Sequence, residues 1–281
     1  MSAARFVAPA FVACLLSASL LAQGPQPATS ASTAVAAEAC AHNWIGREAE
    51  FEEFLKSAKV TGLKDVPVGV TRPSRAYLAP GGLAESMAWK PITPGMKNGF
   101  YESYRSEIAA YELDKLVGLG MIPPTVERDV NGNTGAAVLW ASPTRSFKEL
   151  GGVPGQAKVP GPPGPKLAPW LRQVMRAKMF DNLIANKDPN LGNWLVDPDW
   201  HLLLIDHSRS FTTMKSMVHK MDNVDGPLWE KFKALDEATL NQSVGKWVGK
   251  GELKAILERR DVMAKEIDRL VKAKGESAIL K

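Results

Sequence analysis

The stretch Asn186–Phe211 constrains the fold more than any other part of the sequence. It contains a polar, Gly-containing loop bracketed by Asp188 and Asn193, followed by two short apolar runs. The turn signal Asp197-Pro198-Asp199 separates the runs, which predicts a loop, a strand, a tight turn and a second strand. Because the second strand ends at Asp206, the hairpin returns that carboxylate to the loop. Hard oxygen ligands gathered in this way are suited to Mg²⁺ and phosphate chemistry.

The spacing of these three side chains matches a known pattern. Asn193 lies five positions after Asp188, the interval of the D-x-x-x-x-N catalytic loop of kinases, and Asp206 follows thirteen positions later. Here the chain resembles the protein-kinase-like superfamily. The closest likeness is to its phosphatidylinositol 3-/4-kinase-like branch and to the atypical secretory-pathway kinases, which carry Asp-Arg-His-x-x-Asn followed by Ile-Asp-x-x. The chain departs from this pattern at Pro189, where arginine is usual, and at His207-Ser208, which replace Phe-Gly.

An upstream lysine and glutamate fit the same resemblance. Lys90 ends an apolar, strand-like run, and Glu107 lies toward the buried side of a helix predicted over 102–117. The two residues are 17 positions apart, close to the separation of the strand-three lysine and the helix-C glutamate in kinases. In kinases the ammonium holds the α and β phosphates of ATP while the carboxylate fixes the ammonium. A lone lysine in this position more often extends to solvent, so the pairing depends on the resemblance.

The remaining pattern predicts the fold class. Strand-like segments, bounded by Gly, Pro and Asn turns, lie at 66–71, 75–78, 83–92, 121–128 and 135–140. We therefore expect an α+β, bilobal protein-kinase-like fold. Its small lobe is a five-stranded antiparallel sheet with one helix, and its large lobe is mostly helical and carries the metal-binding β-hairpin.

Nucleotide contacts are harder to place because the chain has no G-x-G-x-x-G motif. The resemblance puts the phosphate-covering loop between the first two strands, which indicates Gly69 and Thr71. It also puts Trp140 at the hinge, where backbone groups would bind adenine.

The chain divides into four segments by composition. We expect a signal peptide or N-terminal anchor with a low-complexity tail at 1–37, followed by an N-terminal helix and small nucleotide-binding lobe at 38–142. Residues 143–169 form an insertion that is too rich in Gly and Pro to pack. Residues 170–281 form a large catalytic lobe. The first segment has one charge, Arg5, ahead of an apolar run, which predicts export, with membrane anchoring by an uncleaved segment as the alternative. Removal of that segment would leave Cys40 as the only cysteine.

Charge argues against one class of partner. The net charge of +5 and the pI near 9.1 come from basic residues that mostly alternate with acids, so we expect no nucleic acid. A membrane is expected as a partner only if the N-terminal segment is retained.

The resemblance implies a role for each site residue. Asp188 would accept the proton of a hydroxyl acceptor, Asn193 and Asp206 would hold Mg²⁺ or Mn²⁺, and Lys90 with Glu107 would position ATP. The acceptor is open among protein, lipid and small molecule. A pseudokinase, or a nucleotide-binding interaction module without phosphotransfer, is the alternative.

Other site classes fit less well. The run from Asp188 to Asp199 resembles the start of an EF-hand, but its sixth position is Asn193 and its twelfth is aspartate, where that loop needs glycine and glutamate. His207 follows a predicted buried strand, where a histidine more often hydrogen-bonds locally than ligates a metal.

Overall fold

The computed structural model describes residues 41–66, 73–156, 158–188 and 190–281. The expectations for the leader, for Cys40 and for the phosphate-covering residues Gly69 and Thr71 lie outside the described residues. In chain order the elements are α1 (Glu48–Ser57), β1 (Val60–Asp65), β2 (Ser74–Leu78), β3 (Ser86–Lys90), β4 (Gly95–Lys97), β5 (Phe100–Glu102), α2 (Tyr104–Val117), β6 (Thr125–Val130), β7 (Asn133–Leu139), β8 (Arg145–Ser146), α3 (Leu167–Ile184), β9 (Trp194–Val196), β10 (Leu202–Leu204), α4 (Gly226–Lys233), α5 (Glu237–Val244), α6 (Lys250–Lys274) and α7 (Glu276–Ile279).

A five-stranded antiparallel sheet, in the order β1-β2-β3-β7-β6, forms the small lobe together with α1 and α2. This confirms the predicted sheet. The first described strand of this sheet is Val60–Asp65, whereas the predicted strand at 66–71 lies, apart from Val66, outside the described residues. β1 is an edge strand, and five of its six residues are exposed. Because it buries so little, it lacks the apolar alternation that marks a half-buried strand.

β4 and β5 form a second, small hairpin, with Lys97 paired with Phe100 at its turn. Asn98 and Gly99 occupy its tip with φ of 49° and 82°. An Asn-Gly pair with positive φ at both positions is the usual connection for a two-residue hairpin. The hairpin ends at Glu102, just before α2 begins.

Helix α2 lies between the sheet and the helical large lobe. Ile108 packs with residues of β7, whereas Ala109 and Leu113 belong to the core of the large lobe. The helix begins after Ser103, whose side chain accepts a hydrogen bond from the Arg105 N–H. Since α2 contacts both cores, a residue on it can reach groups from either lobe.

The large lobe contains α3 to α7 and a three-stranded sheet in the order β10-β9-β8. The antiparallel pairing of β9 with β10 is the hairpin predicted from the sequence. Among the described residues, no helix combines the length and the apolar character needed to cross a bilayer.

The Gly/Pro-rich insertion makes specific contacts, contrary to the expectation that it does not pack. The indole Nε1 of Trp170 donates to the Pro154 carbonyl oxygen at 2.8 Å, and Val153 packs against the core of the large lobe. Trp170 is fully buried, so its N–H needs an acceptor inside the protein, and the insertion supplies one.

Candidate functional site

Lys90 is the last residue of β3, and its side chain points inward. It pairs with Ala136 on β7 and is only 5% exposed. Its Nζ donates to Glu107 Oε1 at 2.7 Å and to Asp206 Oδ1 at 3.0 Å. The structure therefore brings together a lysine from the sheet, a glutamate from α2 and an aspartate from the end of β10.

Both oxygens of the Glu107 carboxylate are engaged. Oε1 accepts from Lys90, and Oε2 accepts from the backbone N–H of His207 at 2.9 Å. Glu107 is 3% exposed, and a buried carboxylate costs free energy unless such partners satisfy it. The second hydrogen bond ties α2 to the segment that follows Asp206.

The charges of this buried group depend on one another. Burial opposes the charge of Lys90, but Asp206 and Glu107 outweigh that effect and raise the pKa of the lysine above its usual value. Burial likewise opposes the charge of Asp206, and the Lys90 ammonium lowers the pKa of Asp206 in spite of it. The ion pairs hold lysine and aspartate in their charged forms at neutral pH.

The hairpin positions Asp206 and Asn193 beside one another. The Ile205 N–H donates to the Asn193 carbonyl oxygen at 2.9 Å, so the residue before Asp206 is bonded directly to Asn193. Asp206 itself has φ of 62°, a left-handed conformation that aspartate and asparagine tolerate better than most residues. The chain therefore turns sharply after the strand.

Asp188 lies in the same cluster. Its N–H donates to the Asn186 side-chain oxygen at 3.2 Å, and its carbonyl oxygen accepts from Asn193 Nδ2 at 3.3 Å. Burial is the main cause that raises the pKa of Asp188, and the negative charge of Asp206 adds to it. The structure thus brings the two aspartates and the amide close together.

Two residues that the sequence did not single out complete the cluster. Arg209 donates through Nε and Nη2 to Glu102 Oε1 at 2.9 and 2.7 Å, and its Nη1 lies 3.5 Å from Asp188 Oδ2. Glu102 and Arg209 are 107 positions apart, and no local pattern links them. The sequence signal that could have indicated Arg209 is its position within the stretch Asn186–Phe211, which is predicted to form the loop and the hairpin.

The group at the site fits a divalent cation by charge and by donor type. Its four carboxylates face two cationic side chains in ion pairs of 2.7 to 3.5 Å, which leaves an excess of negative charge. The hydrogen bonds that Asp206 accepts from described residues all fall on Oδ1, so Oδ2 can serve as a ligand atom. Asn193 uses its Nδ2 internally and keeps its amide oxygen for the same purpose. The two ligand atoms named here come from one aspartate and one asparagine. In the described part of the chain, no group of three or more His, Cys, Asp or Glu side chains is arranged to hold a metal ion.

Two further residues have distinct environments. Trp140 directly follows β7; its N–H donates to the Ser86 carbonyl oxygen at 3.3 Å, and the Arg75 guanidinium lies 4.5 Å from its ring centre. Its predicted hinge role stays a prediction. His207 is buried, and its Nε2 has no hydrogen-bond partner among the described residues.

Comparison with solved structures shows a kinase-like fold. The chain is similar to a hydra Fam20 protein solved with sugar, with a TM-score of 0.62 and 16% identity over 83% of this chain and 91% of that chain. It is also similar to the Golgi casein kinase with Mn/ADP bound, with a TM-score of 0.59 and 12% identity over 83% of this chain and 78% of that chain. The kinase-like part of the resemblance is therefore confirmed at the level of the fold.

Sequence comparison adds no family assignment. No protein-family model matches the chain, and no curated protein matches it. At these identities the structural likeness concerns the fold alone, and the resemblance to phosphatidylinositol 3-/4-kinases stays a prediction.

Proposed function

We propose that this protein is an atypical kinase that transfers the γ-phosphate of ATP to a hydroxyl acceptor with Mg²⁺ or Mn²⁺. The observation that carries the proposal is the buried ion-pair chain in which the Lys90 ammonium contacts both Glu107 and Asp206. A lysine so buried is retained at a cost in desolvation, which favours a functional role over a purely structural one. The fold shared with the Golgi casein kinase supports the same class of chemistry.

Each residue would contribute position or charge. Lys90, fixed by Glu107, presents an ammonium to the phosphates of ATP. Asp206 and Asn193 hold the divalent ion, which neutralises phosphate charge when bound. Asp188 orients the acceptor hydroxyl and takes up its proton, a task for which a raised pKa is favourable. Alignment and charge neutralisation carry most of the rate in this class of reaction.

A kinase of this kind needs a supply of ATP and an acceptor hydroxyl at the place where it acts. We propose that the protein is exported, as the N-terminal pattern predicts, and that it acts where ATP is supplied, such as the lumen of a secretory compartment. The similar structures include a protein solved with sugar and a casein kinase. Sugar and protein hydroxyls are accordingly the first acceptors to test.

The test compares the parent with Asp206→Asn. Asparagine tolerates the left-handed backbone at this position, so the substitution removes charge without adding the strain that alanine would bring. Thermal-shift titration with Mg·ATP and Mn·ATP measures binding, and transfer of labelled γ-phosphate to protein, sugar and water measures turnover. We expect Asp206→Asn to lower turnover by about 10²-fold or more, since charge stabilisation of this kind is worth several kcal/mol.

Asp222→Asn is the matched control. Its carboxylate is 69% exposed and, within the described part of the chain, pairs only with surface Lys220, so turnover should equal that of the parent. If Asp206→Asn turned over ATP as fast as the parent, the assignment of the metal site would be wrong. A parent that shifts with Mg·ATP but transfers no phosphate to any acceptor, including water, would be a nucleotide-binding module.

A further inference from the structure

The Arg209 guanidinium contacts three different side chains. Its Nε and Nη2 both contact Glu102 Oε1, its Nη1 lies 3.5 Å from Asp188 Oδ2, and the guanidinium lies 4.3 Å from the ring centre of Phe100. The arginine side chain is 11% exposed and that of Glu102 is 4% exposed. A buried, charge-assisted pair of this kind is more strongly fixed than a surface ion pair.

Arg209 reaches Asp188 from 21 positions further along the chain, beyond the hairpin. We propose that Arg209 is a positioning residue that orients the Asp188 carboxylate, supplied from the segment after the hairpin and anchored on the small lobe through Glu102. The inference rests on the proposed kinase function, because it assigns Arg209 a role toward the group that meets the acceptor hydroxyl.

The shape of the guanidinium makes this role specific to arginine. The group is planar and rigid, so fixing the Nε and Nη2 edge on Glu102 also fixes the direction in which Nη1 projects. Nη1 then contacts Asp188. A lysine at this position has one charged nitrogen on a flexible stem and cannot keep the same two contacts in a fixed geometry.

The anchor links the aspartate to α2. Glu102 ends β5 and is followed by Ser103, whose N–H donates to the Ser208 carbonyl oxygen at 3.0 Å and whose side chain caps the helix bearing Glu107. Residues immediately before α2 therefore hold Arg209, while the helix itself holds Lys90. Asp188 and the nucleotide lysine are consequently both positioned by the same stretch of the small lobe.

The experiment compares Arg209→Met, Arg209→Lys and Glu102→Gln with the parent full-length protein. We expect Arg209→Met to lower kcat for ATP turnover by about 10²-fold while changing KM for ATP by less than about 3-fold, because it disturbs alignment and leaves the nucleotide lysine in place. Arg209→Lys should recover part of the loss. Glu102→Gln should also lower kcat, although the glutamate does not itself touch Asp188.

Hydrogen exchange supplies a readout that needs no turnover. Without nucleotide, the amides of 186–193 should exchange about 10-fold faster in Arg209→Met than in the parent, since the loop loses a contact that restrains it. Arg128→Lys is the matched control. Its guanidinium donates to backbone carbonyl oxygens of Leu55 and Ala58 near the end of α1, so the change should affect stability but neither kcat nor exchange in 186–193.

The outcomes separate the two proposals. Unchanged exchange in 186–193 for Arg209→Met would overturn the positioning role, whatever the activity of the parent. A parent that turns over no ATP while the exchange changes as expected would overturn the kinase proposal and leave the structural link between Arg209 and Asp188 standing. Equal kcat in an active parent and Arg209→Met would overturn the inference and leave the kinase proposal intact.

Discussion

Replacement of His207 is expected to remove a specific loss of stability in acid. His207 is 1% exposed, and its ring Nε2 has no partner among the described residues. The hydrogen bond from His207 to Glu107 is made by its backbone N–H and not by the imidazole. Burial lowers the pKa of His207 to about 4, with Lys90 acting in the same direction and Asp181 and Asp206 opposing. Protonation of this ring is therefore unfavourable in the folded protein and free to occur in the unfolded chain.

The magnitude follows from the two pKa values. The unfolded chain protonates this histidine near pH 6.5 and the folded protein near 4, so its contribution to stability is complete above about pH 6.5 and is lost as the pH falls toward 4. The full loss is about 3 kcal/mol, of which about 2 kcal/mol falls between about pH 8 and pH 5.

Urea unfolding followed by circular dichroism at a series of pH values measures this term. In His207→Phe, the free energy of unfolding should fall by about 2 kcal/mol less than in the parent between about pH 8 and pH 5. A constant offset from the larger ring does not matter, since only the pH dependence is compared. If the free energy of unfolding had the same pH dependence in His207→Phe and the parent, burial of His207 would not be the cause of the acid sensitivity.

Two further substitutions test how the site is supported. In Gly135→Ala, the new Cβ would lie 2.6 Å from the Lys90 carbonyl oxygen, so we expect β3 to shift, a loss of about 1–3 kcal/mol and a smaller thermal shift with Mg·ATP. Gly62→Ala on β1, with nothing within 4 Å, is the control, and equal behaviour of the two variants would contradict this packing argument. Asp114→Ala removes the carboxylate that accepts from the backbone N–H groups of 120–122, and urea unfolding should show a loss of about 3 kcal/mol because those donors are left unpaired. A loss below about 1 kcal/mol would mean that water replaces the carboxylate.

The parts of the site that a local pattern encodes could be predicted from the sequence. The hairpin that carries Asn193 and Asp206 is encoded by two apolar runs and an Asp-Pro-Asp turn, and it forms as expected. Lys90 and Glu107 were harder, because an isolated lysine at the end of a strand carries no information about its partner. Their contact was predicted only through the kinase resemblance, and the structure shows it at 2.7 Å.

The features that escaped prediction depend on contacts between distant segments. The edge strand Val60–Asp65 buries little, so it shows no apolar alternation to find. The pairing of Arg209 with Glu102 joins residues from different lobes that are 107 positions apart in the sequence. Only the folded chain shows that these two side chains lie together, with 11% and 4% of their surfaces exposed.

Arg259 on α6 has a consequence for the order in which the site assembles. Its buried guanidinium donates to the carbonyl oxygens of Leu183, just ahead of the loop that contains Asp188, and of Thr212 and Met214, just beyond the hairpin. During synthesis on the ribosome, both strands of the hairpin emerge well before this arginine does. We therefore expect the two ends of the loop-and-hairpin segment to be held in place only after Arg259 has been made.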